Sequence, residues 1–233
     1  MRQAINRTLP ILCAVAAVAT SGPAVRAEAG PDPQELLRDA RIASASAEAM
    51  LRGRLRSGSE TSPFTLRVGG GVLKFTFEEP ARVLEVRLGD ETSSVLDGKG
   101  VPLKGGLQEP VAEGTDVTAE DLSLGFLYWP DARLLGREAV RGRSAWKIEL
   151  RPGRRGSAFA VVRVWQDEES GALLRIEGFD WQGKLARRFE VVSGQRIDGR
   201  WMLKQMRIER FAPGSGAKPV SRSYLEITGK EGV

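Results

Sequence analysis

From Arg54 onward apolar and polar residues alternate in short runs broken by Gly, Pro, Ser or Asp clusters, the pattern of half-buried strands. Phe64-Thr65-Leu66-Arg67-Val68 and Val72 to Phe77 flank Gly69-Gly70-Gly71 and read as a hairpin. Leu84, Val86 and Leu88 alternate with Glu85 and Arg87, and Thr92 to Leu96 follows. Later, Trp146, Ile148 and Leu150 oppose Lys147, Glu149 and Arg151; Phe159 to Trp165, Leu173 to Trp181, Phe189 to Val192, Trp201 to Phe211 and Ser221 to Thr228 continue the run. Counted this way there are about eleven strands joined mainly by short turns, which predicts one antiparallel sheet. A sheet of that size tends to curl, split or close.

Before the strands, one helix is expected. Asp32 can cap it, Pro33 suits its first turn, and Leu36, Leu37, Ala40, Ala43, Ala47 and Met50 recur at helical spacing, with Gly53 at or past its end. Between strands, Asp97 to Glu120 is rich in Gly and Pro and reads as a loop or lid; Thr118 to Leu122 can add a single helical turn.

Arg2 and Arg7, the apolar run Leu9 to Ala19 and Val25-Arg26-Ala27 mark residues 1–27 as a cleaved signal peptide, leaving 28–233 as a single domain. The apolar run is about 11 residues, short of the roughly 20 that cross a bilayer. Export places the protein in the periplasm and changes its charge. Removing Arg2, Arg7 and Arg26 cuts the excess of 35 Lys+Arg over 30 Asp+Glu from five to two. The remaining cations are scattered beside acids, so no nucleic-acid surface is expected. The sole cysteine, Cys13, leaves with the signal, and there is no histidine. Catalysis would then rest on carboxylates, yet the only acidic run, Asp167-Glu168-Glu169, sits at an expected hairpin turn and reads as solvated. We expect no catalytic residues, no metal and no cofactor.

Function must lie in the apolar side of the sheet. Met202, Met206 and Ile208 share parity, as do Phe75 with Phe77, Leu84 with Val86, and Trp146 with Ile148 and Leu150. These ten residues are either ordinary core or the lining of a cavity for a lipid chain. Alternation alone does not separate the two. A transmembrane barrel would need its apolar residues outside, facing lipid, whereas here charges occupy one strand face from end to end.

Phe126-Leu127-Tyr128-Trp129-Pro130, Leu135-Gly136-Arg137-Glu138, Gly142 to Trp146, Ile148 to Pro152, Val164-Trp165, Ala172 to Arg175, Phe179 to Lys184 and Gly199-Arg200-Trp201 together resemble the bacterial outer-membrane lipoprotein-sorting proteins, relatives of the carriers LolA and LolB. The resemblance is best over about residues 121–210. It implies an incomplete antiparallel β-barrel covered by an N-terminal helix and a loop or short-helix lid, with an interior for lipoprotein acyl chains or another lipid. It also implies a monomer, transient membrane contact and an envelope-protein partner for loading or release. Where the periplasmic carriers have an Arg-Pro pair linked to release, this chain reads Glu79-Pro80, with Arg82 close by. The alternative is an interaction module that docks an envelope protein through a sheet edge or the Phe126 to Trp129 strip.

Overall fold

A computed structural model describes residues 30–45, 48–78, 81–213, 216 and 218–231. The expected signal at 1–27 and the Glu79-Pro80 pair lie outside the described residues. The fold is mainly β, as the alternation predicts, with one antiparallel sheet of twelve strands. In chain order these are β1 (Ala49–Ser57), β2 (Glu60–Gly69), β3 (Val72–Phe77), β4 (Arg82–Leu88), β5 (Ser93–Asp97), β6 (Asp131–Val140), β7 (Arg143–Arg151), β8 (Val161–Asp167), β9 (Leu173–Phe179), β10 (Leu185–Ile197), β11 (Arg200–Arg210) and β12 (Ser221–Lys230). Helix α1 (Pro33–Ala45) precedes them, and α2 (Ala119–Ser123) with a 3-10 turn (Gly125–Tyr128) lies between β5 and β6.

Two strands, β1 and β6, lie where no strand was expected. The expected helix runs to Met50, but α1 ends at Ala45, and Ala49 onward is β1. Leu51, Gly53 and Leu55 are the inward positions of that strand, and the few small apolar residues that extended the helical period cannot compete with pairing to β2 and β12 on both sides. Gly53 is a close-approach site: a Cβ there would lie 2.3 Å from the Phe64 ring and 2.7 Å from the Glu226 carbonyl oxygen. The second addition is β6, whose alternation is broken by a bulge between Leu134 and Gly136.

Strand order is β5-β4-β3-β2-β1-β12-β11-β10-β9-β8-β7-β6, so β1 pairs with β12 at the centre and β5 and β6 form the two edges. Laid flat, twelve strands would span about 50 Å. Yet the 3-10 turn touches both β5 and β7, from opposite ends of the order. The sheet is therefore strongly curled, an incomplete barrel with one unpaired seam.

One apolar cluster fills the inner side, drawing on strands from β1 to β12 and on Leu37 of α1. Phe64 lies 5.6 Å from Phe75 and 5.5 Å from Phe77, ring centre to ring centre, in tilted arrangements that suit aromatic quadrupoles. The outer side is ionic. Arg133, Glu149, Arg163, Glu177, Arg188, Glu209 and Arg222 are successive cross-strand partners from β6 to β12, alternating in sign. Arg163–Glu149, Arg188–Glu177 and Arg222–Glu209 close to 3.0, 2.9 and 2.9 Å. Each pair sets a partly exposed arginine on a shielded carboxylate, and solvent screening at the arginine keeps its worth small, about 1 kcal/mol. Their larger effect is on register, since a slip of one residue would drive this row inside and the apolar set out. No described helix is long and apolar enough to cross a membrane.

Candidate functional site

The inner face of the curled sheet is covered by a strap, residues 98–128, that crosses from β5 towards β6. Its composition predicts a loose loop. Its burial is that of core: Val111 and Val117 have no exposed surface, and Ala112, Ala119, Leu122, Phe126 and Leu127 are buried with them. These side chains occupy the space that the curl leaves open, in the same cluster as the strand residues. Phe126 and Leu127 thus point into the core, and Tyr128 and Trp129 pack against it half-buried.

The strap's backbone bonds join it mainly to itself. Val111 N–H donates to the Val117 carbonyl at 2.9 Å, Ala119 to Glu109 at 3.2 Å and Glu120 to Leu107 at 2.8 Å. The Thr118-x-x-Asp121 spacing makes a capping box for α2: Asp121 N–H donates to Thr118 Oγ1 at 3.3 Å, and Thr118 N–H to Asp121 Oδ2 at 2.9 Å. Four arginines from the sheet and α1 carry most of its attachment to the rest of the fold, and the Ala158 N–H adds a bond to Glu120 at 3.2 Å. Arg82 at the start of β4 donates to the Pro110 carbonyl and meets Glu109 at 2.8 Å. Arg41 of α1 donates to the Leu127 carbonyl at 2.9 Å. Arg187 of β10 reaches Asp121 at 3.2 Å and Asp116 at 3.6 Å, and Arg210 of β11 meets Asp116 at 2.5 Å. Ser221 also donates to Asp116.

The two aspartates differ electrically. The Asp121 side chain is 1% exposed, and burial raises its pKa to about 6 despite the opposing Arg187 guanidinium and Thr118 bonds. Burial also pushes Asp116 up, but hydrogen bonds from Ser221 and Arg210 and the charge of Arg187 outweigh it, leaving its carboxyl below the usual range. One joint of the strap is thus ionised throughout ordinary conditions, and the other changes charge in mild acid.

Of the ten residues singled out from the sequence, Phe75, Phe77, Leu84, Val86, Ile148, Leu150 and Ile208 share the inner cluster, fully buried. Met202 and Met206 pack against it half-buried. Trp146 lies outside the cluster under Arg137, whose guanidinium is 4.4 Å from its ring. Both border an open cleft of about 760 Å³ with Gly30, Pro31 and Leu134. The acidic run at the end of β8 is solvated only in part. Asp167 is buried, bound by both arms of Arg143 at 2.8 and 2.7 Å and by Ser170, which holds its carboxyl far below the usual range. It anchors a turn. Among the described residues no group of His, Cys, Asp and Glu is placed to hold a metal.

Sequence alone did not reveal the strap's contacts. The capping-box spacing was a visible signal, but Arg187 lies 66 residues from Asp121 in the chain. No local pattern pairs them.

Residues 109–223, just under half of the chain, match a family model described as an uncharacterized protein. No curated protein matches the sequence. Solved structures do. A DUF1329 family protein from Desulfovibrio piger is 20% identical with TM-score 0.59, covering 84% of this chain and 91% of its own. An outer-membrane lipoprotein-sorting protein domain from Vibrio parahaemolyticus is 14% identical with TM-score 0.64, over 85% and 91%. A LolA superfamily protein from Nitrosomonas europaea is 13% identical with TM-score 0.59, over 88% and 96%. Each alignment spans nearly the whole neighbour, so the resemblance carried by residues 121–210 extends to the architecture: this chain has the open, LolA-like β-sheet fold of the outer-membrane lipoprotein-sorting proteins.

Proposed function

We propose that the protein is a non-enzymatic periplasmic carrier that takes lipoprotein acyl chains, or those of another lipid, against the inner face of its sheet, in lipoprotein sorting or lipid transport. In this reading residues 1–27 are removed on export, 28–233 act as one domain, and Phe75, Phe77, Leu84, Val86, Ile148, Leu150, Met202, Met206 and Ile208 form the lipid-facing wall, with Trp146 at its rim. The observation that carries it is the cover. A contiguous apolar wall is closed by one irregular strap whose backbone bonds are mainly internal and which is fastened to the sheet mainly by arginines. Such a segment opens at less cost than the whole protein unfolds.

Magnitudes favour exchange. Re-exposing Val111, Val117, Leu122, Phe126 and Leu127 costs about 1.5–3 kcal/mol each, or roughly 7–15 in all. Burying an acyl chain of roughly 14 methylenes returns about 11 kcal/mol at about 0.8 each. The two are of one size, so lipid and strap can replace each other reversibly. Arg82, bonded to Glu109 and Pro110, then does at the strap what the Arg-Pro pair is linked to in the periplasmic carriers: it sets how readily the interior opens.

A disulfide clamp tests this. A Cβ built on Gly125 lies 3.4 Å from Ser93 Oγ of β5, close enough for Ser93→Cys with Gly125→Cys to bond strap to sheet edge. The wild-type chain is expected to carry co-purifying lipid and to bind an apolar fluorescent probe. The oxidised clamp should do neither, and reduction should restore both. Unchanged probe binding in the oxidised clamp, or no lipid and no probe on the wild type, would overturn the carrier reading.

A further inference from the structure

The β10–β11 hairpin outruns its neighbours. β9 pairs with β10 only as far as Glu190, and β12 pairs with β11 only from Gln205 onward. Beyond those points Gly194 to Ile197 and Arg200 to Leu203 pair with each other alone, as a two-stranded ribbon that outruns the ladders on either side, with Lys204 at its base. Its tip is a two-residue turn, Asp198-Gly199, with φ of 50° and 78°, the left-handed pair that matches strand twist. A free ribbon is marginally stable by itself. Here it is braced: Lys230 pairs with Asp198 at 2.6 Å, Gln195 donates to the Ile227 carbonyl at 3.1 Å, and Arg141 donates to the Val191 carbonyl at 3.2 Å.

Its chemistry departs from the rest of the surface. Across the outer face arginines are matched to carboxylates on neighbouring strands. On the ribbon Arg196, Arg200 and Lys204 are exposed and form no ion pair among the described residues, and the only carboxylate, Asp198, is already used by Lys230. Between them stands Trp201, 71% exposed, the most exposed large apolar side chain of the described residues. Arg196 covers one face of its ring at 5.3 Å. Ile197, Met202 and Leu203 of the ribbon are half-buried and pack against the inner cluster, so Trp201 is its exposed apolar side chain.

We infer that this ribbon docks the protein on a bilayer surface rich in anionic phospholipid, with Arg196, Arg200 and Lys204 against the headgroups and Trp201 at the headgroup level. Tryptophan settles at that depth because its ring is apolar and its N–H is polar. Cations near an anionic surface each raise partitioning roughly fivefold, so three amount to about a hundredfold, and salt screens them. A protein partner would have to supply a buried counter-charge for each of the three cations, which an anionic lipid surface meets without burying them. The inference rests on the envelope location in the carrier reading, and not on what fills the interior.

Sedimentation of the exported chain with vesicles separates the cases. Binding is expected to vesicles of phosphatidylglycerol with phosphatidylethanolamine and not to phosphatidylcholine alone, and to fall at high salt. Arg196→Gln, Arg200→Gln and Lys204→Gln together should weaken it about a hundredfold. Subtracting the emission of Trp201→Phe from wild type should show a blue shift on vesicle binding confined to Trp201. Equal binding by the triple variant, equal binding to phosphatidylcholine, no vesicle binding, or an unshifted Trp201 would each overturn the inference. The apolar-probe assay on the triple variant should stay at the wild-type level. Probe binding without vesicle binding thus refutes the ribbon alone, and vesicle binding without probe binding refutes the carrier alone.

Discussion

Arg187→Met removes the guanidinium that joins the strap to β10, and its cost should depend on pH in a defined direction. Arg187 is buried and meets Asp121 at 3.2 Å. Breaking one partner of such a pair costs about 3–5 kcal/mol when the other stays charged. In wild type the Asp121 carboxyl is raised to about 6 by burial, above its ordinary 3.8. The folded form therefore binds this proton more tightly than the unfolded one, so the group's contribution to stability falls as pH rises between about 4 and 6 and is level above that. Without Arg187 the carboxyl is raised further, and the fall continues past 6. The stability gap between variant and wild type should then widen by about 1.4 kcal/mol per pH unit above 6, or about 2 kcal/mol by about pH 7.5. Urea denaturation of both proteins across this range measures it. Adding Asp121→Asn to the variant should remove the widening. A gap that is flat with pH, or a double variant as pH-dependent as the single, would refute the assignment of the strap's charge balance to this pair.

Two further outcomes follow from local geometry. Gly53→Ala should sharply lower the melting temperature and soluble yield, since its Cβ would meet both the Phe64 ring and the Glu226 carbonyl; adding Phe64→Leu should recover only part, because the carbonyl clash stays. Asp167→Asn should cost about 1.5–3 kcal/mol at neutral pH through its charged bonds to Arg143 and Ser170. The Asp167 carboxyl is depressed in the fold, so its stabilisation is present above about pH 4 and is lost on further acidification. Denaturation curves of the two proteins should converge there.

How far each element could be read before folding depended on how local its cause is. Parity along a strand is local, and Leu84 and Val86 lie inside while Glu85 and Arg87 do not, as their alternation predicts. The boundary between α1 and β1 is not local. Ala40, Ala43, Ala47 and Met50 satisfy a helical period, but pairing of Ala49 onward with β2 and β12 decides the matter. The segment at 97–120 misled in the opposite way, because Gly and Pro erase any period while saying nothing about burial. Val111 and Val117 are buried since this segment fills space that the curled sheet leaves open, beside Leu37 of α1.

The sequence by itself determined the class of fold, the two-sided character of the sheet and the shortage of catalytic side chains, because those depend on residue type and on a period of two. Only the tertiary structure decided what meets across the interior. Strand order brought β5 and β7 to one short turn, set Arg187 against Asp121 across 66 residues of chain, and let the β10–β11 ribbon outrun its neighbours. Those juxtapositions arise from the curl of twelve strands, a property of the whole sheet that no run of neighbouring residues encodes.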